Sequence, residues 1–172
     1  MAGTGPEDLQ ALTQEFLNAC VEALDTIPMF APGLGGAPER SFISPGLPAF
    51  DCCDQLTVHV AGVNSDPIQP PKNKNRVNIV SLVATATRCL PTGDNQNPPS
   101  AADLQDSAAQ VNADGWALWN HIFNLIRSDL LFTLCGEVLW DGLRSINPQG
   151  GCGGYTLNLR VEQDGYEETF GS

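Results

Sequence analysis

Positive charge is scarce in this sequence. Eight Lys and Arg stand against 20 Asp and Glu, a net charge of −12 over 172 residues. That balance excludes a protein that grips nucleic acid through a basic face. Charged residues of both signs are also few, 16% against about 25% in an average domain. No apolar run approaches the roughly 18 residues that span a bilayer, so no transmembrane helix and no membrane partner are expected. Residues 1–6 hold neither a basic stretch nor an apolar core, so no secretory signal is expected.

The usual catalytic signatures are missing as well. There is no CxxC or HxxxH pair, so the six cysteines (Cys20, Cys52, Cys53, Cys89, Cys135 and Cys152) match no zinc pattern. In a reducing cytosol they are expected as buried or half-buried thiols, with one late-forming disulfide as the alternative. There is no GxSxG nucleophile elbow. Gly33-Leu34-Gly35-Gly36 neither follows a strand nor carries a lysine. Gly150-Gly151-Cys152-Gly153-Gly154 leads into a strand, where no helix dipole is available to hold phosphate. His59 and His121 are the only histidines. A Cys53/His59 dyad would have to bridge six strand residues, roughly 20 Å at about 3.3 Å each. Asp51 and Asp54 face a similar obstacle as metal ligands with His59. Asp103 and Asp106 read as charges near a helix start. No catalytic, metal-binding or cofactor-binding residue is assigned.

What is present is a foldable pattern. Hydrophobic residues make up 42% of the chain, enough for one core, so a single domain over 1–172 is expected, with an acidic extension from about Gln163. Leu9, Leu12, Phe16, Cys20, Ala23 or Leu24, and Ile27 recur at three- and four-residue steps and predict a helix over 7–27. Thr4 and Glu7 have capping-box spacing at its start. A Pro/Gly loop follows over 28–39, then a short strand over 40–44. Residues 55–63 alternate, with Leu56, Val58 and Val60 on one face and Thr57, His59 and Ala61 on the other. Residues 76–90 are rich in Val, Ile and Thr on both faces, which predicts a central strand.

Ser100 and Asp103 mark the start of a second helix reaching Arg127. It carries two apolar stripes. Leu104, Ala108, Val111, Gly115, Leu118, Ile122 and Leu125 form one; Trp116, Trp119, Phe123 and Ile126 form the other. The second stripe predicts a contact beyond the sheet, with the first helix or with another subunit. Strands over 137–146 and 155–162 close the chain around a glycine-rich loop at 147–154. The expected class is α+β in the order αβββαββ, with two main helices on a mostly antiparallel sheet of about five strands and long Pro/Gly-rich loops. Lys72, Lys74 and Arg76 form the one basic cluster. It reads as a solvated loop or as a contact for an acidic partner, such as another copy of this chain.

Three segments carry a resemblance. The first runs Ser44-Pro45-Gly46-Leu47-Pro48-Ala49-Phe50-Asp51-Cys52-Cys53-Asp54-Gln55-Leu56-Thr57-Val58-His59. The second includes Asp114-Gly115-Trp116-Ala117-Leu118-Trp119-Asn120, within 112–120. The third is Asn147-Pro148-Gln149-Gly150-Gly151-Cys152-Gly153-Gly154-Tyr155. Together with the Leu/Ala-rich first helix, they make the chain resemble the tail terminator proteins of long-tailed phages infecting actinobacteria. The resemblance implies a virion protein assembled in the host cytoplasm, without an active site. It implies a homo-hexameric ring that caps the head-proximal end of the tail tube and docks on the head–tail stopper or another neck protein. DNA would pass through the lumen without specific binding, and a negative wall suits that passage. The loops at 28–39, 64–76 and 91–99, with the tail from Gln163, are expected to reach neighbouring subunits. Lys72, Lys74, Arg76, Trp116 and Trp119 are the candidate interaction residues. A different neck component, a small acidic enzyme using Cys53 or His59, and a DNA-mimic inhibitor are the alternatives.

Overall fold

Leu12, Phe16, Cys20, Ala23 and Leu24 bury one side of the first helix, α1 (Pro6–Asp25). The expected continuation to residue 27 breaks at Thr26. Pro28 has no N–H to donate into the helical ladder, so the chain restarts as a single turn, α2 (Ile27–Phe30). The computed structural model describes residues 6–46, 54–65, 77–94, 96–132, 137–149 and 151–164.

The strands are β1 (Arg40–Ile43), β2 (Gln55–Ser65), β3 (Val77–Cys89), β4 (Val138–Gln149) and β5 (Cys152–Asp164). Helix α3 (Ala101–Arg127) lies between β3 and β4 in the chain. The protein is α+β, and the five strands among the described residues form one sheet in the order β1-β2-β3-β5-β4. β3 is central, as its two apolar faces predict. Three of the pairings are antiparallel, but β1 runs parallel to β2, so the sheet is mixed. A parallel neighbour needs a long connection, and residues 44–54 supply it.

Both long helices cover one face. α1 lies over β1 and β2, α3 over β3, β5 and β4, and the two helices pack on each other. Between them and the sheet sit Leu56, Val58, Val80, Leu82, Ala84, Leu157, Leu159 and Val161 with Phe16, Leu24, Leu118 and Ile122. Ser100 caps α3 as its position predicts. Its Oγ accepts the Asp103 N–H at 3.1 Å and donates to the Asp103 carboxylate at 2.7 Å.

Three local expectations change. The loop at 28–39 opens within the helical turn of α2, where Met29 and Phe30 stay exposed, and then folds back on its own chain. The Gly35 N–H donates to Gln110 Oε1 at 2.8 Å, Arg88 Nη2 donates to the Gly36 carbonyl at 2.6 Å, and the Ala37 N–H donates to Asp25 Oδ1 at 3.0 Å. Leu34 and Ala37 pack against the core. The glycine-rich stretch at 147–154 is mostly strand, because the ladder runs out to Gln149 and Cys152 and leaves a two-residue connection. Gly151 (φ +78°) takes the left-handed conformation there. Cys152 is disulfide-bonded, which replaces the thiol expected at that position. Cys52, Cys53 and Cys135 lie outside the described residues, as do Thr4 and the tail beyond 164.

Candidate interaction surface

The second stripe of α3 forms an ordered aromatic surface. Trp116, Trp119 and Phe123 are 60%, 38% and 36% exposed. Spaced three and four residues apart, they share a side of the helix. Trp119 stacks on Phe123 at 5.8 Å with the rings 10° apart. Trp140 of β4 meets Trp119 edge-on at 4.8 Å and Phe123 at 6.1 Å. The Arg127 guanidinium lies 5.9 Å from the Phe123 ring centre. Trp140 is paired with Leu159, so it stands on the helix-covered face of β4. The ridge therefore overhangs the last strand of the sheet. Trp119, Phe123 and Trp140 restrain one another, so that part of the surface is ordered before anything binds it.

Trp116 and Trp119 were singled out in the sequence, and the structure brings both to this surface. Lys72, Lys74 and Arg76 lie outside the described residues. Trp140 is the member that helical spacing could not reveal, because it comes from a strand. Leu104, assigned to the inward stripe, is instead about half exposed near the start of α3.

At the other end of the sheet is a groove of about 230 Å³ lined by Leu9, Gln10, Thr13, Ile43, Ser44, Pro45 and Val60. It exists because β1 is short. The Ser44 N–H donates to the Val58 carbonyl at 2.8 Å, and pairing with β2 ends there. Beyond Val58, among the described residues, β2 has no neighbour on that side, and Val63 is half exposed.

The residues weighed for catalysis do not converge. His59 is buried on the sheet face away from the helices, beside Thr57. Neither His59 Nδ1 nor Thr57 Oγ1 has a hydrogen-bond partner among the described residues. Burial holds the His59 imidazole below its ordinary pKa. Cys53, its proposed partner, lies outside the described residues. His121 Nε2 is 3.9 Å from Glu22 and links α3 to α1. Among the described residues, no three His, Cys, Asp or Glu side chains are grouped to hold a metal ion. No helix among them is long and apolar enough to cross a membrane. No protein-family model matches the chain, and no curated protein matches it.

Proposed function

We propose that the chain is a structural subunit of a phage tail, forming the terminator ring that closes the head-proximal end of the tail tube and joins it to the neck. The reading rests on the resemblance carried by the segments around Ser44–His59, Asp114–Asn120 and Asn147–Tyr155. The observation that supports it most is the exposed aromatic ridge of Trp116, Trp119 and Phe123 at the sheet's edge, with Trp119 and Phe123 stacked on each other. A monomer with no partner has little use for such a surface. The excess of 20 acidic over eight basic residues suits a channel wall along which DNA slides. On this reading the chain acts by shape, without catalysis or cofactor. It is a homo-hexamer in the virion, between tail tube protein and stopper.

Native mass by light scattering, alone and with tail tube protein, tests the reading. The expected result is a species near six times 18.3 kDa, or one that forms on mixing and caps tubes in electron micrographs. A monomer that ignores the tube would overturn it. A monomer that binds a neck protein alone would favour a different neck component.

A further inference from the structure

We propose that the aromatic ridge and the groove are the two halves of one head-to-tail contact. Trp116, Trp119 and the outer edge of β4 on one copy would meet the Leu9–Thr13–Pro45–Val60 groove and the open edge of β2 on the next. This deepens the ring reading and rests on it, since a chain that never self-associates has no such contact.

Four observations carry the proposal. The first is shape. Trp116 is the most exposed of the ridge aromatics, and the groove is a 230 Å³ hollow with an apolar lining from Leu9, Ile43, Pro45 and Val60. A cavity of about 150 Å³ is enough to admit a benzene ring, so the groove has room for one aromatic side chain. An aromatic anchor seated in a pocket is the usual centre of a protein interface.

The second is strand direction. β2 and β3, β3 and β5, and β5 and β4 are all antiparallel. β4 therefore runs opposite to β2 in the same sheet. If the next copy continues the sheet in the same orientation, its β2 meets β4 antiparallel. The open stretch of β2 after Val58 gives seven residues, 59–65, and β4 offers twelve.

The third is the placement of the helices. α3 lies over β4 and α1 over β2 on the same face. Continuing the sheet therefore brings the ridge of one copy beside α1 of the next, where Leu9, Gln10 and Thr13 line the groove.

The fourth is charge. The helix supplying the groove, α1, contains five carboxylates and no base; the segment Gly115–Arg127 of α3 contains no carboxylate and ends in Arg127. In a chain with a net charge of −12, contact between two acidic helices would be repulsive. This pairing avoids that repulsion. Because the two surfaces differ, the contact is heterologous, and repetition closes into a ring if its rotation allows.

Trp116→Glu and Gln10→Trp test the contact, the first charging the ridge and the second plugging the groove from its rim. Both side chains are exposed, and Trp116→Gln is the milder alternative should the charge disturb folding. Circular dichroism checks the fold of each, and light scattering reads the mass of each full-length chain. Each variant alone is expected to associate at least about thirtyfold more weakly than wild type, the effect of losing one interface hot spot. Mixed one to one, the variants retain a single working junction and should give a heterodimer of twice 18.3 kDa. Variants that assemble like wild type, or monomeric variants that fail to pair on mixing, would overturn the contact while leaving the ring reading intact. A wild-type chain that stays monomeric at all concentrations, and with tail tube protein, would overturn both.

Discussion

Arg88 and Asp114 form a two-pronged ion pair between the central strand and α3. Arg88 Nε donates to Asp114 Oδ2 at 2.7 Å, and Nη2 donates to Oδ1 at 3.0 Å. Asp114 is 1% exposed. Arg88 Nη2 also donates to the Gly36 carbonyl. Gln110 Nε2 donates both to Asp114 Oδ1 and to the Gly35 carbonyl. One buried pair thus holds the sheet, the helix and the Pro/Gly loop together.

Breaking it from one side leaves an unpaired charge in the core. Arg88→Met or Asp114→Ala is expected to lower stability by about 3–5 kcal/mol, and replacing both by apolar residues is expected to cost less than either alone. Urea titrations of the two single variants and the double variant measure this. Losses in the double variant that equal the sum of the two single losses would show that the pair is not coupled.

Gly115 faces the Tyr155 ring. A Cβ there would lie 2.7 Å from the ring carbon Cε2. In an open helix, Gly→Ala is stabilising by about 1 kcal/mol. Here the clash opposes that gain, and overpacking costs about 1–3 kcal/mol. Gly115→Ala is expected to lower the melting temperature. Gly115→Ala with Tyr155→Leu, which removes the obstructing ring, is expected to recover part of the loss.

His59 sets a pH dependence. Its folded pKa is lowered by burial, so below about 6.5 the unfolded chain binds the proton more readily than the folded one. Stability from this group is full above that value. It falls as pH drops from about 6.5 toward the lowered folded pKa. Unfolding free energies of wild type and His59→Gln at pH 7.5 and pH 5 should therefore converge or cross on acidification, the variant losing less. Parallel pH profiles would contradict the assignment.

Cys20 is buried in the core, and burial pushes its thiol pKa far above the ordinary range. Since the thiolate is the reactive form, a maleimide should label Cys20 only after denaturant opens the core. Peptide mapping distinguishes it from the other cysteines. Rapid labelling of Cys20 in the native protein would mean that α1 opens readily.

Ser100→Ala removes the acceptor for the Asp103 N–H. The expected loss is about 1 kcal/mol, read from the shift in denaturant midpoint at unchanged slope. A neutral result would mean that this helix end frays in solution.

Local physics was legible in the sequence. Leu12, Phe16 and Cys20 repeat at helical spacing because one side of α1 is buried. Leu56 and Val58 alternate with Thr57 and His59 because successive strand residues point to opposite faces. The Ser100–Asp103 pair marks a helix start because the first N–H groups need acceptors. These patterns determined the class, the helices, most of the strands and the central place of β3. They also pointed to Trp116 and Trp119 as an outward stripe. Tertiary structure alone decided the parallel pairing of Arg40–Ile43 with Gln55–Val58, the Arg88–Asp114 pair that turns the Gly35–Gly36 loop inward, and the seating of Trp140 against Trp119. Each of these joins residues far enough apart in the chain that no periodicity connects them. Their partners are chosen by closing the chain around one core, which local spacing does not encode.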